Sequence, residues 1–334
     1  MKKFYVQLIK GGSIVDYLKV KGIEKKVSNL IMGTAWFDPS FEDEIFQMLD
    51  AYISEGGTVI DCGRFYGVAR SEKILKNYLE ARNNREDLVI IDKCCHPIIT
   101  PDGAHHPEYW RVKADLITDD LHYSLYHTGC DYFDLYLMHR DDPNVPVGEI
   151  MDRLEQHRKE GLIKAYGVSN WELPRVQEAV KYCEEKGYQG ISVNNPSYSL
   201  AKVMKTRWPG CVYADDEYAK WHEDKDVTLL SWAAQAHGFF ADIYKRDGSA
   251  PKDIQEAFFS EENFERLNRA KELGEEKGVD SINIALAYVL SQPFHVGAII
   301  GSRSRNEFES CIKTLEIKLT QKELDYLSLK SDVR

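Results

Sequence analysis

The chain has 334 residues, 43% hydrophobic and 29% charged, with 22 Gly and 11 Pro, a composition that excludes disordered, collagenous and disulfide-stapled classes. Its 54 acidic against 43 basic residues give a formal charge of -11, which opposes attraction to phosphate backbones and anionic bilayers, so nucleic acid and membrane partners are set aside. Seven scattered cysteines read as free thiols of a reducing compartment, and no apolar run reaches the roughly 18 residues of a membrane span, so a cytoplasmic protein is expected.

Residues 5–9 and 14–20, joined through Gly11-Gly12, read as a two-stranded hairpin that covers the bottom of the following core. From residue 29 onward, short runs rich in Val, Ile, Leu or Tyr alternate with helical patterns. Eight strands are expected, at 29–33, 58–61, 88–93, 132–139, 163–169, 190–194, 227–232 and 296–300. After the first, Ser40 is a candidate N-cap for a helix carrying Phe41, Ile45, Met48, Leu49, Tyr52 and Ile53, stopped by Gly56-Gly57. Ser71 stands similarly before Ile74, Leu75, Tyr78 and Leu79, while Ile150 and Leu154 lead to a stop at Gly161. Segments 201–226 and 236–260 interrupt the rhythm as long loops with helical pieces, and Thr320 with Glu323 forms a capping box for a last helix with Leu324 and Leu327. Strand and helix alternating eight times predict an α/β fold, a (β/α)8 TIM barrel with an N-terminal β-hairpin and long loops at its C-terminal face. No linker divides the chain, so residues 1–334 are read as one domain.

A barrel gathers the C-terminal ends of its strands around one mouth, where polar residues distant in sequence meet. The second expected strand ends in Asp61 with Tyr66 five residues beyond, the third in Lys93, the fourth in His139-Arg140 and the fifth in Ser169-Asn170. A phenol with pKa near ~10 transfers protons poorly at neutral pH, and an adjacent ammonium stabilises its phenolate. Lys93 is therefore expected to acidify Tyr66, Asp61 to hold Lys93 charged, and neutral His139 to donate a hydrogen bond to a carbonyl oxygen. The set suits reversible carbonyl–alcohol chemistry and needs a separate hydride source. With no G-x-G-x-x-G in the chain, a nicotinamide would lie on the barrel mouth. Gly301-Ser302-Arg303-Ser304-Arg305 would face phosphate, Trp232 would stack on the ring, and Ser169, Asn170 and Asn195 would bond its carboxamide. Cys94-Cys95-His96 and His105-His106 invite a metal reading, but adjacent strand residues point to opposite faces and no second cluster has zinc spacing, so no metal is expected.

These pieces resemble the aldo-keto reductase family. The resemblance rests on Gly33-Thr34-Ala35-Trp36-Phe37, the 59–67 segment with Ser71-Glu72, Lys93, the 131–139 segment ending in His139, the 161–170 segment, the 235–240 segment and 300–304, in the family's order. It implies a barrel enzyme using NADP(H) or NAD(H), with Tyr66 as general acid/base and Asp61, Lys93 and His139 completing a tetrad. It also implies cofactor contacts from Gly33, Thr34, Ser169, Asn170, Asn195, Trp232, Gly301, Ser302 and Arg303. Asn195 stands where the family usually has Gln, Trp232 where Tyr is commonest, and Glu307 where Arg or Gln is usual. Glu307 would repel a 2′-phosphate, whereas Arg303 and Arg305 would attract it, a balance that favours NADP(H) with NAD(H) as the alternative. Trp36, His96, Trp110 and Arg140 are the substrate-pocket candidates, and Arg64 adds polarity, so a sugar or other polar carbonyl is expected. The expected function is NAD(P)(H)-dependent interconversion of a carbonyl and its alcohol. The alternative is a cofactor-binding regulatory or scaffold subunit with little turnover, resembling the potassium-channel β subunits.

Overall fold

Eight short apolar runs, buried on both faces, form a closed barrel of eight parallel strands. The computed structural model describes residues 15–98 and 110–334. Tyr17–Leu18 (β1) and Val27–Ser28 (β2) pair antiparallel ahead of the barrel. The barrel strands are Leu30–Gly33 (β3), Val59–Asp61 (β4), Val89–Cys94 (β5), Phe133–Met138 (β6), Ile163–Ser169 (β7), Ile191–Asn195 (β8), Thr228–Ser231 (β9) and Val296–Ile300 (β10). Each coincides with an expected strand to within one residue at either end.

The small antiparallel pair differs from the expected hairpin in its partner: Tyr17 and Leu18 meet Val27 and Ser28, and residues 5–9 lie outside the described residues. Leu18, Val20, Ile23 and Val27 pack against the inner core formed by Ile31, Val59, Val89, Ile91, Leu135, Leu137, Ala165, Val193 and Leu230. The pair thus closes one end of the barrel with apolar side chains, as the sequence reading expected.

Helices cover the outer face: Glu42–Ser54 (α1), Arg70–Arg82 (α2), Ala114–Thr128 (α3), Val147–Lys159 (α4) and Leu173–Lys186 (α5), then Asp216–Trp221 (α6) and Lys252–Phe258 (α7) in the two long loops. Glu261–Lys277 (α8), Ser281–Leu290 (α9), Arg305–Lys313 (α10) and Gln321–Leu327 (α11) follow, the last with the Thr320–Glu323 capping box. Two caps differ from expectation. Asp38 caps a short 3-10 turn, Pro39–Phe41, which contains Ser40 and leads into α1. Ser71 lies inside the first turn of α2, where its buried hydroxyl donates to the Thr34 carbonyl at 2.9 Å and ties the end of β3 to the loop after β4.

Strand parity positions the site. Val59 in β4, Val89 and Ile91 in β5, and Leu135 and Leu137 in β6 face the lumen, while Ile60, Ile90, Tyr136 and Met138 pack outward against helices. Two residues beyond each inward position lie Asp61, Lys93 and His139, and the same count from Ala165, Val193 and Leu230 reaches Ser169 in two steps, Asn195 in one and Trp232 in one. Register keeps these ends level: Gly33 pairs with Asp61, and Ser169 with Asn195.

Candidate active site

Lys93 is the centre of the constellation. Its ammonium, 2% exposed, forms a close ion pair with Asp61 Oδ1 and donates to the Cys62 carbonyl at 3.1 Å and to Tyr66 Oη at 3.1 Å. The Tyr66 ring stands edge-on to His139, with centroids 5.5 Å apart. All four expected residues therefore meet at the mouth.

Electrostatics correct one expectation. Burial raises the Tyr66 phenol to about 12; the Lys93 ammonium pulls it down and the Asp61 carboxylate pushes it up, so desolvation exceeds the acidifying effect of lysine. At neutral pH the Tyr66 phenol is therefore protonated. Burial works against the Lys93 charge, but the Asp61 carboxylate and Tyr66 oxygen raise its pKa above the ordinary lysine value and keep it an ammonium. Asp61 is itself pushed up by burial, with Lys93 opposing. His139 lies well below the usual histidine range, first through burial and then through His96, Arg140 and Lys93, and so is neutral.

The nicotinamide candidates form one network. Ser169 Oγ donates to the Asn195 carbonyl at 2.8 Å, and Asn170 Nδ2 donates to Ser169 Oγ at 2.9 Å and to the His139 carbonyl at 3.2 Å. Asn170 Oδ1 accepts from Trp232 Nε1 at 3.1 Å, which ties the half-buried indole to the amide group. Asn170 adopts φ +60, and Cys95 and Ala233 likewise take left-handed backbone just after β5 and β9. Strain of ~1–3 kcal/mol at each such position is concentrated at the mouth, as functional loops often require.

Gly33 packs where a Cβ would lie 2.9 Å from the Ile300 carbonyl oxygen, so its first duty is strand packing. Thr34 donates its backbone N–H to the Asp61 carbonyl, and its hydroxyl is buried beside the Cys62 thiol. At the far end of β10, Gly301 is exposed and Ser302 buried. Glu307 does not face the guanidiniums: its carboxylate accepts the Arg303 backbone N–H at 2.7 Å, and Ser304 caps α10. Arg305 pairs with Glu309, which leaves the exposed Arg303 side chain as the available guanidinium.

Among the substrate candidates, His96 stacks on Phe65 with centroids 3.6 Å apart and lies 4.8 Å from His139. Trp110 and Arg140 both flank Gly210 from the first long loop. Trp36 is half-buried, and its indole nitrogen has no partner. Arg64 turns away from the mouth, pairing with Asp120 and lying 4.1 Å over Tyr123, which removes it from the polar pocket. A cavity of about 400 Å³ lined by Tyr198, Lys202, Asp215, Arg266 and Tyr288 contains no tetrad member. His105-His106 lie outside the described residues.

The profile of the Aldo/keto reductase family matches residues 29–331. The chain belongs to that family. It is 26% identical over 310 residues to the uncharacterized oxidoreductase YrpG of Bacillus subtilis, covering 91% of this chain and 92% of that one. It is 27% identical over 321 residues to norsolorinic acid reductase of Emericella nidulans, covering 90% and 77%. The fold of a thermostable aldo-keto reductase, Tm1743, solved with the inhibitor epalrestat, superimposes with a TM-score of 0.71 at 23% identity, covering 94% and 99%. This family member is accordingly an oxidoreductase.

Several residues at the mouth escaped the sequence reading. Tyr213 and His237 come from the two long loops, their rings 5.7 and 6.2 Å from that of Trp232, and Tyr213 Oη and His237 Nε2 are buried without partners. No periodicity marks them; the bridges of Ser197 to Tyr213 and to Trp232 bring Tyr213 to the indole, and the turn after β9 brings His237. Asp120 pairs with Arg64 and Arg111 and accepts the Cys95 backbone N–H at 2.8 Å, anchoring the loop after β5. An aspartate on the buried face of α3 was the available signal.

Proposed function

We propose that this oxidoreductase interconverts a polar carbonyl compound and its alcohol with NAD(P)(H), and that Tyr66 is the general acid/base. The observation that carries the reading is Lys93 bonded at once to Asp61 and to Tyr66 Oη, with the neutral His139 ring alongside. The mouth also fits a nicotinamide dinucleotide: the amide-bonding set Ser169, Asn170 and Asn195 adjoins Trp232, and the buried His237 Nε2 beside that indole has no partner among the described residues, which a polar ligand would supply.

When bound in reduced form, the nicotinamide supplies the hydride. Tyr66, protonated at neutral pH, gives its phenolic proton to the carbonyl oxygen, and Lys93 stabilises the phenolate that remains. Asp61 holds Lys93 charged and in place. His139 offers a neutral ring N–H to the same oxygen and adds no positive charge that would compete with Lys93. Alcohol oxidation runs these proton steps backward. Ser169, Asn170 and Asn195 would orient the carboxamide. Arg303, with Glu307 occupied by the backbone, favours the 2′-phosphate of NADP(H).

The test is steady-state absorbance at the nicotinamide band across aldehydes, ketones and sugars, for wild type and Tyr66→Phe. Turnover by wild type with a loss of about a thousandfold or more in the variant is expected. Full activity of a folded Tyr66→Phe enzyme refutes the assignment.

A further inference from the structure

Each cation around the tetrad has a carboxylate partner, with one exception among the described residues. Lys93 has Asp61, Arg64 and Arg111 share Asp120, Arg207 has Asp253, and Asp141 is committed to Arg175. Arg140 is only 6% exposed, yet has no carboxylate among the described residues. Its Nη1 donates to the His139 carbonyl at 2.9 Å, and its Nη2 donates to the Cys211 thiol sulfur at 3.2 Å. Its Nε is buried and has no acceptor among the described residues. Two neutral acceptors, one of them a weak sulfur, do not offset removal of a guanidinium from water. An uncompensated buried cation persists where another requirement keeps it.

Its location supplies that requirement. Arg140 directly follows His139 and is bonded to its carbonyl, and Trp110 and Gly210 flank its side chain. The edge with unmet capacity is the Nε and Nη2 side, a planar pair of parallel donors that matches the two oxygens of a carboxylate; one lacks an acceptor and the other has only sulfur. We infer that the substrate is a short oxo acid or hydroxy acid whose carboxylate pairs with Arg140 while its carbonyl or hydroxyl carbon faces Tyr66 and His139. This rests on the oxidoreductase reading above and narrows its substrate class from polar carbonyls to carboxylated ones.

The experiment compares short ω-oxo carboxylates with their own methyl esters, which keep chain and aldehyde but remove the charge. Wild type is expected to favour each acid that fits by at least about thirtyfold in kcat/KM. In Arg140→Met the acid-to-ester ratio falls to near one whatever the absolute rates, and Arg140→Lys recovers part of the preference because it restores charge without the planar fork. Succinate, which cannot react, is expected to raise the Tm of wild type and leave that of Arg140→Met unchanged, with inorganic phosphate as the control for general anion effects. Turnover of acids and esters at equal kcat/KM, a preference that survives in Arg140→Met, or a phosphate effect equal to that of succinate overturns the inference. No turnover of any acid or ester while another aldehyde, ketone or sugar reacts also overturns the inference; no turnover of any carbonyl compound counts against the proposed function instead, and the succinate shift then still reports on Arg140.

Discussion

Replacing Lys93 by methionine tests whether its ammonium carries the proton chemistry. The Nζ lies 3.1 Å from Tyr66 Oη, and a unit charge at that distance in an effective dielectric of ~20 stabilises a phenolate by about 5 kcal/mol before reorganisation. Loss of one preorganised donor to a developing oxyanion typically costs a hundredfold to a thousandfold, about 2.7–4 kcal/mol, so a fall of that size in kcat is expected with little change in cofactor affinity. The same change strands Asp61, which is 3% exposed, and destabilises the fold by about 3–5 kcal/mol. The Asp61→Asn, Lys93→Met double variant separates the effects: stability in urea recovers, because no buried charge is left, while kcat stays low. Cofactor affinity by fluorescence titration and kcat by nicotinamide absorbance are the assays. A folded single variant that keeps kcat within tenfold of wild type refutes the reasoning.

Three further outcomes follow from the geometry. Arg303→Met should weaken NADPH binding by about tenfold and leave NADH binding nearly unchanged in the same titration, because only the 2′-phosphate loses a charged donor; equal losses for both would contradict that assignment. His222 donates Nδ1–H to the Tyr218 carbonyl and accepts from Asn194 at Nε2, so burial holds it neutral and lowers its pKa to about 4. Because the unfolded imidazole takes a proton below its ordinary 6.5, the stability held above that pH is lost as pH falls toward about 4, by about 3 kcal/mol. Urea melts across this window should show a shallower fall in His222→Gln, and an unchanged slope would remove His222 as its source. Gly167→Ala should cost about 3 kcal/mol or more in denaturant melts, since a Cβ would fall on the Val193 carbonyl oxygen and within 3.0 Å of Leu137 Cδ2 inside the barrel.

The tetrad was legible because its members obey strand parity. Asp61, Lys93 and His139 each stand two residues past an inward apolar residue at the end of an unmistakable run, and Tyr66 follows within a short loop. Asp92, on the opposite parity of β5, was not recognised: it is buried on the outer side with Glu72; burial pushes both carboxyls above their ordinary range, and the charge of Glu72 adds to the shift of Asp92. A lone acid within an apolar strand carries no mark of the partner that a helix will bring to it.

Short apolar runs alternating with helical spacing, counted along the chain, determined the eight-stranded barrel and the set of residues at the strand ends around its mouth, since both depend only on neighbours in sequence. Three features emerged only in three dimensions: the net upward shift of Tyr66, the capture of Glu307 by the Arg303 backbone, and the unbalanced charge of Arg140. The first and third are balances between desolvation and partners distant in sequence, and the second is set by the exposed turn that opens α10. Such balances are set by which surfaces exclude water after packing, and local spacing does not encode that.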